Sequence, residues 1–245
     1  MKLTLDSEGF PRTHWSFLVR AGEGGRQELE VFCRAYWMPL YAYARRKGHT
    51  TESAQDRVQS FMLAFLERGT LAQVAPDTGR FRAYLLTSFK NFSISERRRE
   101  RAQKRGGDSQ HLSLDWLLAE KAYQVTDPAL DAESLYHRQW ALTLLLRVEQ
   151  MLAERYRVTR RQQLFEAIRP SLREVDAALD YHRLAAELDM TRGALRVAVH
   201  RLRSRYAMML REEVLLLVDG AADLDQELRE LLDVIRPRTS HPTAP

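Results

Sequence analysis

The chain has very little cysteine and no long uninterrupted run of apolar residues. Its one cysteine, Cys33, excludes an internal disulfide and a metal site built from several cysteines. Because Cys33 lies in an apolar segment, we expect it to be a small core residue. No apolar run approaches the roughly 18 residues that cross a bilayer, and the first residues lack the apolar region of a secretory signal. We therefore expect no membrane insertion and a cytoplasmic location.

The sequence also lacks the motifs of common metal, cofactor and nucleotide sites. Its seven histidines are scattered, with no pair at the spacing of metal ligands. It has no glycine-rich phosphate-binding loop and no acidic cluster typical of metal-dependent nucleases. We therefore expect no metal, no other cofactor and no catalytic residue, and we interpret the chain as not being an enzyme.

The alternation typical of strands is lacking too, whereas apolar residues recur every three or four positions. This period predicts an all-α fold. The length of 245 residues suits one large domain or two small ones. Breaks at glycine and proline favour two helical domains joined by a linker. The predicted segments are an N-terminal lead at 1–26, a first domain at 27–107, a linker at 108–132, a second domain at 133–211 and a C-terminal extension at 212–245. Within the linker, Leu112, Leu114, Trp116 and Leu117 could pack a short helix onto a neighbour.

Three helices are predicted in the first domain. The first, at 27–47, should be broken or kinked at Pro39. The second begins at a cap supplied by Thr51 or Ser53. The third runs from about 80 to 104, and its apolar first half passes into an arginine-rich second half. We expect the apolar half to anchor this helix in a core and the basic half to project into solvent.

Positive charge is concentrated in two segments, although the net charge of the whole chain is only +5. Residues 90–105 contain seven basic and two acidic residues, and residues 182–211 have the same numbers. Two cationic segments on an otherwise acidic chain predict two contacts with one polyanion. For residues 90–105 the alternative is a solvated helix end that is favoured by the helix dipole and needs no ligand.

The segment 182–206 has the pattern of a helix-turn-helix. Asp189 occupies the position at which such turns usually have a glycine in the left-handed conformation, which Asp tolerates better than most residues. Thr191 can cap the second helix. The predicted buried stripes of the two helices are Leu184, Ala185 and Leu188, then Leu195, Val199, Leu202 and Tyr206. The groups that could contact phosphates and base edges are Arg192, Arg196, Val197, His200, Arg201 and Arg203. The alternative is an ordinary charged helical corner that binds no nucleic acid.

Taken in order, these segments resemble the extracytoplasmic-function (ECF) group of sigma-70-type RNA polymerase sigma factors. The similar stretches are AQDRVQSFMLAFLE at 54–67, FRAYLLTSFKNFSISERRRER at 81–101 and LAAELDMTRGALRVAVHRLRSRY at 184–206. The resemblance covers roughly 28–105 and 140–211. The long linker and the expanded second domain depart from compact members and resemble a particular subgroup.

The resemblance implies a partner for each motif. Asp56 and Gln59, on a helix face that we expect to be exposed, would bind core RNA polymerase. The residues implied to contact the −10 element of promoter DNA are Lys90, Asn91, Arg97, Arg98, Arg99 and Arg101. The residues implied to read the −35 element are Thr191, Arg192, Arg196, Val197, His200, Arg201 and Arg203. A sigma factor directs core polymerase to promoters and assists DNA opening, and an anti-sigma factor can regulate it. The alternative is a stand-alone helix-turn-helix transcriptional regulator, which has no use for the motifs of the first domain.

The C-terminal extension is strongly acidic. Residues 212–235 contain eight acidic residues and one arginine. Its apolar residues recur at helical spacing, at Leu224, Leu228, Leu231 and Ile235. We interpret it as an amphipathic helix packed on the second domain with a solvated acidic face. The alternative is that its acidic face competes with DNA for neighbouring cations.

Overall fold

The regular structure is helical throughout the part of the chain that the structure describes. A computed structural model describes residues 26–67, 81–102, 116–173, 179–215 and 221–235. These residues form nine α-helices and no strand, which confirms the predicted all-α fold. The helices are α1 (Arg26–Arg46), α2 (Thr51–Glu67), α3 (Phe81–Ala102), α4 (Trp116–Gln124), α5 (Ala132–Val158), α6 (Gln162–Ile168), α7 (Tyr181–Glu187), α8 (Arg192–Leu215) and α9 (Ala221–Ile235).

The chain divides into two compact units. Unit 1 comprises Met1–Ala141 together with Leu215–Pro245, and unit 2 comprises Leu142–Val214. The division falls inside α5, and the C-terminal helix α9 belongs to unit 1. The prediction that this helix packs on the second domain was therefore only partly right. Helix α9 contacts Arg138, at the start of the predicted second domain, but it also pairs with Arg82 of the predicted first domain.

Helix α9 is held in unit 1 by ion pairs with the first turn of α3. The Arg82 guanidinium lies 2.8 Å from a carboxylate oxygen of Glu227 and 2.8 Å from one of Glu230. The side chains of Arg82 and Glu227 are only 6% and 3% exposed. A buried guanidinium needs a counter-ion, and the acidic residues of α9 supply it. The acidic residues of α9 were expected on a solvated face, but Glu227 and Glu230 instead form ion pairs inside unit 1.

The core of unit 1 is rich in aromatic side chains. Phe61 of α2 meets Phe89 of α3 edge to face, with 5.1 Å between the ring centroids. Cys33 is buried among the apolar residues of α1, as predicted, and this burial raises the pKa of its thiol to about 11. Other fully buried side chains of this core are Leu40, Tyr41, Val58, Met62, Leu85, Leu135 and Tyr136.

The first two helices differ locally from the prediction. Helix α1 continues through Pro39, so the break expected as one of two alternatives at this residue is absent. Proline in a helix costs roughly 3 kcal/mol, and burial of the neighbouring Tyr36 and Leu40 offsets this cost. Helix α2 is capped one residue earlier than predicted, because the Thr50 hydroxyl accepts a hydrogen bond of 3.2 Å from the backbone N–H of Ser53.

Part of the predicted linker is a helix docked in unit 1. Helix α4 lies against α1, with the ring of Trp116 5.2 Å from that of Trp37. Glu120 accepts hydrogen bonds of 3.0 and 2.9 Å from the guanidinium of Arg45, and these bonds lower the pKa of its carboxyl. The part of the predicted linker that forms α4 thus belongs to unit 1, and the residues that it contacts lie far away in the sequence.

Candidate nucleic-acid interface

The core of unit 2 lies beneath the predicted helix-turn-helix. Leu184 and Ala185 of α7 are buried, and so are Leu195, Val199 and Leu202 of α8. The other two predicted stripe residues, Leu188 and Tyr206, are partly buried. The buried side chains pack on α5 and α6 in one cluster, which consists of Leu152, Phe165, Ile168, Leu184, Ala185, Leu195, Val199 and Leu202. The Tyr206 hydroxyl donates a hydrogen bond of 3.3 Å to the carbonyl of Leu145. The core therefore fixes α7 and α8 through the residues that the sequence period indicated.

The turn between α7 and α8 has the expected left-handed residue. Asp189 has a φ of +50°. The N–H of Met190 bonds the carbonyl of Ala185 at 2.9 Å, and the N–H of Asp189 bonds that of Ala186 at 3.4 Å. This pair of bonds is the Schellman closure of a helix C-terminus, which requires a left-handed residue at the position of Asp189. The prediction for Asp189 is confirmed.

Both helices of the motif begin at side-chain caps. Asp180 accepts hydrogen bonds from the N–H groups of His182 at 3.1 Å and Arg183 at 3.0 Å, and these bonds lower the pKa of its carboxyl. The Thr191 hydroxyl accepts a hydrogen bond of 3.1 Å from the N–H of Ala194, as the sequence predicts. Each cap satisfies backbone donors that have no partner inside the helix. The caps and the turn together set where α8 begins.

The exposed face of α8 is cationic. Its exposed residues include Arg192, Arg196, Val197, His200 and Arg201. None of its three arginines is paired with a carboxylate within the described part of the chain. The Arg196 guanidinium lies over the ring of Tyr181, 5.6 Å from the ring centroid, and this cation–π contact orients it. The face thus presents donors to solvent on a rigid helix.

Arg203 does not belong to this face, although the sequence placed it there. Its Nε donates a hydrogen bond of 3.0 Å to the carbonyl of Ser171, in the 3₁₀ turn Arg169–Leu172. Arg203 lies next to Leu202 of the buried stripe. The aliphatic part of its side chain therefore runs along the core, while its guanidinium reaches a backbone carbonyl. It supports the position of α8 on the 3₁₀ turn.

The expected polymerase-binding pair in unit 1 is split between the surface and the core. Asp56 is exposed, but Gln59 is buried with 5% exposure. Between them, Arg57 is also buried and donates a hydrogen bond of 3.1 Å to the carbonyl of Ser93 on α3. Because α1 and α3 both contact α2, its buried side spans more than half of its circumference. The prediction of an exposed Gln59 was therefore wrong.

The second cationic segment is only partly within the described residues. Lys90 is half-buried, and its Nζ lies 2.6 Å from a carboxylate oxygen of Glu133, so its charge is partly neutralised. Asn91 is exposed on the same helix. The side chains of Arg97, Arg98, Arg99 and Arg101 lie outside the described part of the structure, although their backbone continues α3.

The described residues contain no cluster of three or more histidine, cysteine, aspartate or glutamate side chains that could hold a metal ion. None of the described helices is long and apolar enough to cross a bilayer. Comparison with protein-family models gives no match, and comparisons with curated proteins and with solved structures give no significant match either.

Proposed function

We propose that this chain is a transcription initiation factor of the sigma-70 type, which binds promoter DNA and directs core RNA polymerase to it in the cytoplasm. Unit 2 would read the −35 element. The arginine-rich half of α3 in unit 1 would hold the −10 element and assist its opening.

The observation that carries the DNA-binding half of this proposal is the cationic face of α8. A helix of this width fits the major groove of B-DNA, which is about 12 Å wide. Arginines can then contact phosphates or guanine edges, and the exposed Val197 offers an apolar contact for a thymine methyl group. The caps at Asp180 and Thr191 and the turn at Asp189 keep these groups in a fixed arrangement without a ligand, which lowers the entropic cost of binding.

The polymerase half of the proposal rests on the order of the three motifs. A simple regulator needs only the helix-turn-helix, whereas this chain also has α2 with its exposed Asp56 and the basic end of α3. Because Gln59 is buried, we assign the direct contact with polymerase to the exposed residues of α2, with Asp56 the leading one. Gln59 would instead stabilise the packing of α2.

The decisive experiment is reconstitution with core RNA polymerase. The full chain should co-elute with core polymerase in gel filtration and support transcripts that begin at defined promoters. Asp56→Ala should weaken co-elution and leave DNA binding by the free chain unchanged. Glu212→Ala removes the same charge at an exposed position of α8 and should leave co-elution unchanged. The triple variant R97A/R98A/R99A should keep core binding and lose open-complex formation, measured by permanganate reactivity of unpaired thymines.

The same experiment separates this proposal from a stand-alone regulator. A regulator would bind duplex DNA specifically and neither co-elute with core polymerase nor change where transcription begins. That result would reject the sigma-type function and leave the helix-turn-helix as a DNA-binding module.

A further inference from the structure

Unit 2 has a second cationic surface beside the exposed face of α8. A groove with a volume of about 870 Å³ is bounded by the C-terminal part of α5, the start of α6 and the middle of α8. Its basic lining residues are Arg155, Arg161, His200, Arg201 and Arg205. Among the described residues, no acidic side chain lines it. We define these five residues as the basic groove.

The cations of the basic groove are gathered without counter-ions. Arg155, Arg161 and Arg201 are exposed, and none of them forms an ion pair within the described ranges of the chain. Arg157, two residues after Arg155, behaves differently, since its guanidinium forms two hydrogen bonds with Glu154, of 2.6 and 2.7 Å. Because like charges repel, the cations of the basic groove destabilise the folded protein when no carboxylate is near them, and a bound anion would remove this repulsion.

The corner between α5 and α6 has arginine at two positions that favour other residue types. Arg160 has a φ of +57°, a left-handed conformation that favours glycine. The N–H of Arg161 bonds the carbonyl of Tyr156 at 2.8 Å, and the N–H of Arg160 bonds that of Arg157 at 3.0 Å, so this corner has the same Schellman closure as the turn at Asp189.

Arg161 then occupies the N-cap position of α6, where its side chain makes no capping bond. A guanidinium has no acceptor, whereas Ser, Asp or Asn would supply one. Cations thus stand at two successive positions where other residue types would stabilise the corner better. Residues that do not match the backbone preference of their position are typical of functional sites, where binding or catalysis determines the residue type.

We propose that the basic groove binds phosphate groups of the nucleic-acid backbone. The inference rests on the proposed function, because His200 and Arg201 belong both to the groove and to the exposed face of α8, so one duplex can reach both. The guanidinium fork matches phosphate oxygens with two parallel hydrogen bonds. A duplex presents one phosphate per about 1.7 Å of its axis, which suits several cations along one groove. The groove would add affinity without reading sequence.

The test measures binding of a mixed-sequence DNA duplex of about 30 base pairs by fluorescence anisotropy, between about 50 and 200 mM KCl. The double variant R155Q/R161Q should lower the slope of log affinity against log salt by about 2, which corresponds to about 50-fold weaker binding near 0.1 M salt. R155K/R161K keeps the charges and should keep the slope, but should bind more weakly because lysine lacks the fork. The matched control E154Q/R157Q removes an ion pair whose net charge is zero, so its slope should equal that of the wild type.

The outcomes separate the groove from the proposed function. If the wild type binds no duplex, the DNA-binding function itself is rejected. If the wild type binds and R155Q/R161Q has the wild-type slope, the groove proposal is overturned while DNA binding by α8 stands. Polyglutamate that displaces duplex from the wild type as effectively as unlabelled DNA would show that the groove takes acidic polypeptide, which also overturns the proposal. Matching circular dichroism melts would establish that every variant is folded.

Discussion

The carboxylate of Glu227 lies 2.8 Å from the guanidinium of Arg82, and both side chains are almost completely buried. The same guanidinium stacks over Trp140 with its carbon 4.8 Å from the ring centroid. It thus joins α3, α5 and α9. An ion pair in this position matters most when one partner is removed, because the remaining charge is then buried alone.

Glu227→Ala should therefore destabilise the protein by about 3 to 5 kcal/mol. The measurement is the free energy of unfolding in urea, followed by circular dichroism. Glu230→Gln is the comparison, since its side chain is 35% exposed and its loss should cost at most about 1 kcal/mol. Equal losses for the two variants would contradict the buried pair as the main attachment of α9.

Thr191→Ala should destabilise unit 2 by about 1 kcal/mol, because the N–H of Ala194 loses its side-chain acceptor. Thr191→Ser keeps the hydroxyl and should retain most of the wild-type stability. The two variants can be compared by thermal unfolding of the full chain. A larger loss for the serine variant than for the alanine variant would rule out the cap as the cause.

The two left-handed residues should respond differently to glycine. Arg160→Gly relieves a strain of about 1 to 2 kcal/mol and loses about 0.4 to 1 kcal/mol through the greater entropy of the unfolded chain, so a small net gain is expected. Asp189→Gly should be closer to neutral, because Asp tolerates φ values near +50° better than Arg. Gly48→Ala is the reverse control, since Gly48 has a φ of +88° and should not accept a side chain without loss. The denaturant concentrations at the unfolding midpoints of the three variants rank their stabilities.

Gly193→Ala should change stability and DNA binding in opposite directions. An added Cβ would lie 4.0 Å from the Thr191 hydroxyl oxygen and meet nothing closer outside its chain neighbours. Alanine is the better helix former, by up to about 1 kcal/mol. Under the proposed function, the same methyl group hinders the approach of a phosphate to the N–H groups of the first turn of α8 and weakens duplex binding several-fold. A melt and an anisotropy titration on one preparation measure both effects.

Stability should fall on acidification because of His137. Burial, and then the positive charge of Arg82, lower the pKa of this imidazole to about 4. In the unfolded chain its pKa is about 6.5, so between about pH 6.5 and pH 4 the unfolded state binds a proton that the folded state does not. Stability is therefore lost as the pH decreases through this range. His137→Gln should remove this contribution, and the difference between wild type and variant in urea midpoints isolates it from carboxyl titration.

Features set by neighbouring residues could be predicted from the sequence. The buried stripe Leu195, Val199 and Leu202 follows from the helical period alone. The left-handed Asp189 and the cap at Thr191 follow from backbone rules that act within five or six residues. These local rules also fixed which residues of α8 face solvent, with the exception of Arg203.

Features that depend on distant partners could not be predicted. Gln59 is buried because α2 has neighbours on two sides, which no period within α2 reveals. Arg203 turns inward because a carbonyl of Ser171 lies within its reach. Helix α9 joins unit 1 through the buried side chains of Leu224 and Leu231 and the ion pairs with Arg82, whereas the acidic composition of α9 is equally typical of a solvated surface. The basic groove was missed because Arg155 and Arg161 lie outside both cationic segments.

The distance in sequence between Arg82 and its carboxylates leads us to expect an order of folding during synthesis. Arg82 and Glu230 are 148 positions apart, and all of unit 2 lies between them. A ribosome adding about 5 to 20 residues per second needs about 7 to 30 s to make that stretch. Unit 2, whose contacts are closer in sequence, can fold in that interval, whereas unit 1 keeps an uncompensated arginine at its surface until α9 emerges. Nascent unit 1 would then be the part of the chain that depends most on chaperones.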